Sequence, residues 1–122
     1  MSFGQFKRSF KDAYRGLVYT FRYELSFRIQ SFIAIIVLIL AFIFPLRLYE
    51  RVVIILLVAM VLLLELINSV LERIVDLFKP RIDNVAKIIK DIMAGAVLLA
   101  AVVSIIIGWL IFWPQFKNLL IK

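Results

Sequence analysis

Four polar side chains recur along a segment that is otherwise aliphatic. Thirteen uncharged residues at 52–64 are followed by Glu65, Asn68, Glu72 and Asp76, which are three or four residues apart. An α-helix turns by about 100° per residue, so this spacing puts all four within an arc of roughly 80°. We call this face the polar stripe. A carboxylate turned towards lipid would cost on the order of several kcal/mol, so the polar stripe must meet protein, water or a cation.

The residue types in and around the polar stripe suit a site for a metal and a phosphate. Glu24 precedes the first long apolar run, and Lys90 and Asp91 precede the last one. Carboxylates from two helices together with an amide suit a hard cation such as Mg²⁺. Lys90 and Arg28 are placed to meet an anion, of which phosphate is one candidate. Glu65 is the deepest member and could take a proton from a hydroxyl that arrives out of the bilayer. These are the parts that phosphoryl transfer needs.

Other chemistries are excluded by composition. The chain has no Cys and no His, which rules out disulfides, thiolate catalysis and a histidine base. Its four glycines form neither a P-loop nor a dinucleotide-binding motif, so a nucleotide would have to be held in another way. The net charge of +7 is spread along the chain and is not concentrated in a soluble domain. We therefore interpret the basic residues as setting membrane orientation and expect no nucleic-acid partner.

Three membrane-spanning helices are expected to position the polar stripe. Hydrophobic residues make up 65% of the 122-residue chain, more than a soluble domain of this size can bury. The apolar runs at 29–46 and 92–116 are long enough to cross a hydrocarbon core of about 30 Å. The run at 52–64 is too short unless its helix continues through the polar stripe. We predict membrane helices at about 29–46, 50–78 and 90–113.

The segment at about 1–28 is predicted to be an amphipathic helix on the membrane surface. Basic side chains lie largely off its apolar face, and they would point towards anionic lipid. The alternative is an ordinary helix that packs on protein. Pro80 is predicted to end the second span, and Pro114 the third. We interpret residues 1–122 as one domain. The apolar residues of the first helix recur at intervals of three and four: Phe3, Phe6, Phe10, Ala13, Leu17 and Phe21.

The charges indicate which side of the membrane the site faces. If the amino terminus and the 73–91 connection share a side, most basic residues lie there, and the positive-inside rule makes that side cytoplasmic. Seven of the eight acidic residues lie on the same side, Glu50 being the exception. Topology does not require acids, so their gathering indicates a functional site.

Three motifs resemble those of a known family. The segment ELINSVLERIVD at 65–76 resembles the E-x-x-N-[ST]-x-x-E-x-x-V-D signature of the prokaryotic diacylglycerol kinase family, which includes the undecaprenol kinases. YELSFRIQ at 23–30 and AKIIKDIMAGAVLLAA at 86–101 resemble its first-helix and third-helix motifs. The resemblance runs from about Lys11 to Trp113 and keeps the spacing between the motifs.

The resemblance implies both a fold and an activity. The fold is an all-α membrane protein with an N-terminal amphipathic surface helix and three transmembrane helices. Three copies would form a helical-bundle homotrimer whose sites are shared between neighbouring subunits. The expected activity is transfer of the γ-phosphate of Mg²⁺-bound ATP to the hydroxyl of diacylglycerol or undecaprenol, for phospholipid or lipid-carrier recycling. The site would face the cytoplasm from the bacterial inner membrane.

The resemblance also implies roles for individual residues. Glu65 would be the catalytic base and would contact the lipid hydroxyl. Glu24 and Glu72 would hold Mg²⁺ with ATP, and Phe27 and Arg28 would line the lipid entrance. Four further residues would belong to the nucleotide and active-site network: Asn68, Asp76, Lys90 and Asp91.

Two other classes of protein stay open on the residues alone. The first is a small oligomeric transporter or channel with Glu65 as its intramembrane ion site. The apolar run at 52–64 has no ionisable group to continue a pathway outwards, which favours a site open on one side only. The second is a structural assembly factor, which would explain the hydrophobicity but not the clustered acids.

Overall fold

The chain is all-helical in a computed structural model that describes residues 2–81 and 83–121. In the described ranges it forms α1 (Phe3–Tyr23), α2 (Leu25–Ile43), α3 (Leu48–Leu77) and α4 (Asp83–Ile121). By length and composition α2, α3 and α4 can each cross a membrane. The predicted all-α fold with three spans is therefore confirmed.

Helix α1 begins at a capping box. The Ser2 hydroxyl accepts a hydrogen bond from the Gln5 backbone N–H at 3.2 Å, and the Gln5 side chain accepts one from the Ser2 N–H at 3.0 Å. This reciprocal pair satisfies backbone donors that a helix start leaves free. The apolar face of α1 stays exposed in the single chain, Phe3 being 82% and Phe10 72% accessible. An apolar face this exposed is unfavourable in water, and lying on a membrane surface would cover it.

The boundary between α1 and α2 lies at Glu24, earlier than the predicted residue 28. Glu24 is the one non-helical residue between the two helices, with φ −112° and ψ 108°. Arg28 reaches back across the break and donates to the carbonyls of Phe21 and Arg22 at 3.1 and 2.8 Å. These carbonyls belong to the last turn of α1, where intrahelical partners run out. Arg28 therefore fastens the end of α1 to the start of α2.

Helix α3 is the central element. It packs against α2 on one side and α4 on the other, whereas α1 packs on α2. A buried cluster of Ala41, Leu46, Ile54 and Phe112 joins α2, α3 and α4 near the α2–α3 turn. Most other apolar side chains of these helices are exposed in the single chain. Those surfaces are suited to contact lipid or further subunits.

Arg51 stabilises the turn between α2 and α3, and its removal should destabilise the fold. Its guanidinium donates to the carbonyls of Ala41 and Phe44 at 2.9 and 3.1 Å. Arg51→Ala leaves both carbonyls without this donor, so we expect a loss of about 1–3 kcal/mol in unfolding free energy. The loss would be measured by thermal unfolding in detergent. An unaltered melting temperature would contradict the assigned contact.

The prediction that Pro114 ends the last helix is wrong. Helix α4 starts at Asp83, before the predicted residue 90, and continues through Pro114 to Ile121. A proline removes one N–H from the helical ladder, but long apolar helices tolerate this because neighbouring groups re-satisfy the freed carbonyl. Trp113 directly precedes the proline, and its ring stacks on that of Trp109, one turn earlier, with 5.1 Å between the ring centres.

Candidate active site

Glu65 is buried in the C-terminal half of α3. Only 6% of the residue is accessible. Val61 one turn before it and Ser69 one turn after it are buried on the same face. This face of α3 meets protein and not lipid, so an acid can sit there. The other polar-stripe residues become more exposed towards the end of α3: Asn68 and Glu72 are half-buried and Asp76 is exposed.

Glu24 is brought to α3 by two hydrogen bonds. The Ser69 hydroxyl and the Arg73 guanidinium both donate to Glu24 Oε1, each at 3.1 Å. These contacts tie the α1–α2 break to the inner half of α3. Ser69 lies one turn after Glu65 on the buried face of α3, so its hydrogen bond places Glu24 beside that face, about one turn from Glu65. Acids gathered in one region favour the binding of a cation.

Within the polar stripe, Asn68 and Glu72 are neighbours on successive turns. The Asn68 amide donates to Glu72 Oε1 at 3.4 Å, which is a long hydrogen bond. Such a weak contact leaves the Glu72 carboxylate free to take another partner.

An ion pair joins the C-terminal end of α3 to a position about two turns into α4. Lys90 Nζ donates to Asp76 Oδ1 at 2.8 Å, and Lys79 Nζ lies 3.5 Å from the same oxygen. Asp76 is exposed and Lys90 is half-buried, so the pair is largely open to solvent and adds little to stability. Its effect is to fix the Lys90 ammonium beside the polar stripe. Asp91 is exposed, and in the described ranges no ion pair or hydrogen bond joins it to the other site residues.

Phe27 and Arg28 lie at the start of α2. Phe27 is buried, at 7% accessible, close to the Glu24 break. The guanidinium of Arg28 is committed to the carbonyls of α1, so its observed contact is structural. A role for either residue at a lipid entrance stays a prediction.

Three residues of the site were not singled out in the sequence: Ser69, Arg73 and Tyr19. Ser69 and Arg73 follow Glu65 at steps of four, which places them on the same face of α3. This spacing could have identified both residues as members of the site from the sequence. Tyr19, which contacts Arg73 from α1, offered none, because the contact depends on the break at Glu24.

The acids fit a metal that arrives with a phosphate group. In residues 2–81 and 83–121, no group of three acids is arranged to hold an ion by itself. Magnesium at phosphate-transfer sites is usually bound by one or two carboxylates together with phosphate oxygens and water. Glu24 and Glu72 supply two such carboxylates, and neither is locked in a pair that uses both of its oxygens.

Comparison with known proteins identifies the family. The family described as prokaryotic diacylglycerol kinase matches residues 11–112. The undecaprenol kinase of Bacillus subtilis (strain 168) is 41% identical over 111 residues, 91% of this chain and 90% of that protein. A diacylglycerol kinase of Synechocystis sp. is 37% identical over 114 residues, 93% of this chain and 65% of the longer relative. The diacylglycerol kinase of Escherichia coli (strain K12) is 27% identical over 104 residues, 85% of each chain.

The match covers all three motifs and the helices that carry them. It confirms the prediction of a lipid kinase, and it decides between an enzyme and the transporter alternative. ATP as co-substrate follows from the kinase activity. This chain belongs to the prokaryotic diacylglycerol kinase family and is a membrane lipid kinase.

Proposed function

We propose that this kinase transfers the γ-phosphate of ATP to the hydroxyl of undecaprenol. The observation that carries the choice of acceptor is the 41% identity to an undecaprenol kinase over nine-tenths of both chains. Identity to the Escherichia coli diacylglycerol kinase is 27%. Diacylglycerol is the second candidate, because a diacylglycerol kinase of Synechocystis sp. is 37% identical.

Glu65 is proposed to be the base. The reacting hydroxyl stays at the edge of the bilayer because its lipid chain holds it there, so the base must sit below the headgroups, in the cytoplasmic half of a membrane helix. Glu65 meets this requirement, since it is buried in the C-terminal half of α3, one turn before the Ser69 that binds Glu24. Its carboxylate would take the hydroxyl proton as the oxygen attacks the γ-phosphorus. The bond from that phosphorus to the bridging oxygen would break, giving phosphorylated lipid and ADP.

Glu24 and Glu72 are proposed to hold the Mg²⁺ that comes with ATP. When bound, the ion neutralises charge on the phosphate groups. Lys90 would meet the phosphates from the other side, held in place by Asp76 at 2.8 Å. Asn68 and Asp91 would complete the nucleotide network. No P-loop would be needed, because Glu24 and side chains of α3 and α4 would provide the contacts.

The site is proposed to face the cytoplasm from the bacterial inner membrane. The distribution of basic residues supports this orientation. A homotrimer is proposed as the working unit. It would cover apolar side chains that the single chain exposes on α2, α3 and α4, such as Ile36, Leu56 and Leu99.

An acceptor assay tests the proposed substrate. Purified protein in mixed micelles receives labelled ATP and either undecaprenol or diacylglycerol at equal mole fraction. We expect undecaprenol to be labelled at least about tenfold faster, since apolar sites discriminate between lipids by factors of this order. Faster labelling of diacylglycerol would contradict the choice of acceptor. Labelling of neither lipid would contradict the kinase assignment as well.

A further inference from the structure

Glu24 is held through only one of its two carboxylate oxygens. It is the single extended residue between α1 and α2, and its side chain is 28% accessible. Oε1 accepts from both Ser69 and Arg73. Within residues 2–81 and 83–121, no hydrogen bond reaches Oε2. The carboxylate is therefore fixed at one oxygen while the other is available.

Arg73 contacts α1 and the α1–α2 break at the same time. One terminal nitrogen of its guanidinium donates to Glu24 Oε1 at 3.1 Å. The other donates to the Tyr19 hydroxyl at 3.1 Å, and the guanidinium carbon lies 4.8 Å from the centre of the Tyr19 ring. The Tyr19 ring packs in turn on Tyr23 at 4.8 Å. Because the guanidinium is planar and rigid, contacts at both ends fix its orientation.

This network acts mainly on geometry and little on stability. Arg73 is 49% accessible, and ion pairs as exposed as this one contribute little to folding. Helix α1 packs on α2 and has no extensive packing against α3. The contacts of Arg73 therefore link α3 directly to Tyr19 near the end of α1 and to Glu24.

We infer that Arg73, held by Tyr19, is a positioning residue for Glu24. By binding Oε1 it orients the carboxylate so that Oε2 is presented to the cation. Its positive charge also offsets that of the Glu24 carboxylate before the metal arrives. The inference rests on the proposed role of Glu24 as a ligand of the metal bound with the nucleotide.

Metal binding tests this inference without requiring turnover. The full-length protein in detergent is titrated with Mn²⁺, which takes the same oxygen ligands as Mg²⁺, in the presence of a non-hydrolysable ATP analogue. Bound Mn²⁺ is followed by electron paramagnetic resonance. We expect Arg73→Ala to weaken binding about tenfold, the lower end of the effect of residues that orient metal ligands. Tyr19→Phe, which removes one hydroxyl, should weaken it about threefold.

Further variants separate the orienting effect of Arg73 from the effect of its charge and from a general loss of structure. Arg73→Lys keeps the positive charge but lacks the planar guanidinium with its two donor ends. Its affinity for Mn²⁺ should therefore fall between those of wild type and Arg73→Ala. Arg15→Ala removes another arginine, exposed on α1 and paired with Asp12 at 3.8 Å, and should bind as wild type. In Glu24→Gln, a further Arg73→Ala change should have no added effect, because Arg73 acts through Glu24.

Each negative result has a distinct meaning. If Glu24→Gln binds Mn²⁺ as tightly as wild type, the proposed role of Glu24 as a ligand is wrong. If Glu24→Gln is weakened while Arg73→Ala and Tyr19→Phe bind as wild type, the role of Arg73 is wrong and that of Glu24 stands. If Arg73→Ala fails to fold, Tyr19→Phe and Arg73→Lys decide the question on their own.

Discussion

Glu65→Gln is expected to lower the rate of lipid phosphorylation by about 10²–10⁴-fold, the usual contribution of a general base. Glutamine has nearly the same shape as glutamate but cannot accept the hydroxyl proton. It is also neutral, so its burial between the helices is easier than that of a carboxylate. The variant should therefore fold as the wild type does. The measurement is the initial rate of label transfer from ATP to undecaprenol with both substrates saturating.

Glu50→Gln is the matched control for this change. It is the same substitution on the same helix, at the opposite end of α3, where the Glu50 side chain accepts a hydrogen bond from the Arg47 backbone N–H at 2.9 Å. Its transfer rate should equal that of wild type. Elution volume and thermal unfolding of both variants would show whether they fold alike. A Glu65→Gln rate within about threefold of wild type would contradict a role as general base.

Glu72→Gln is expected to raise the Mg²⁺ concentration for half-maximal rate by roughly 100-fold. Residues that merely orient metal ligands change affinity by about 10–100-fold, and a ligand should reach the top of that range. Because the hydrogen bond from Asn68 is long, the carboxylate is otherwise free for the ion. High Mg²⁺ should restore part of the lost rate, since the base is intact. A Mg²⁺ titration at fixed ATP measures the shift.

Asp83→Asn is the control for the Mg²⁺ titration. Asp83 is an exposed acid at the start of α4, on the same side of the membrane in the predicted topology. It should titrate as wild type, because a change in overall charge alone has little effect on a specific site. An unchanged Mg²⁺ requirement in Glu72→Gln would remove Glu72 from the metal site.

The long apolar helices and the face of the polar stripe could be predicted from sequence. Hydropathy indicates the spans directly, and the turn of about 100° per residue places Glu65, Asn68, Glu72 and Asp76 on one side of α3. The burial of Glu65 follows from the same argument, since lipid is a poor environment for an acid. These features depend on hydropathy and on the spacing of polar residues along a helix, and both can be read directly from the sequence.

The break at Glu24 could not be predicted, because no glycine or proline marks it. At this break Arg28 donates back to carbonyls of α1, and Ser69 and Arg73 donate to Glu24 from α3. Ser69 and Arg73 lie 45 and 49 residues from Glu24 along the chain, so spacing within one helix cannot reveal the contact. The continuation of α4 beyond Pro114 could not be predicted either. Proline usually ends a helix, but this helix continues to Ile121.

The most direct test of Glu65 as the base is a single-turnover measurement on Glu65→Gln. Excess protein is mixed with labelled Mg²⁺–ATP and undecaprenol, and bound nucleotide and labelled lipid are measured in the same sample. We predict nucleotide binding equal to that of wild type, with transfer to the lipid slower by about 10² or more. Transfer at the wild-type rate, or loss of nucleotide binding that explains the slow transfer, would contradict the assignment.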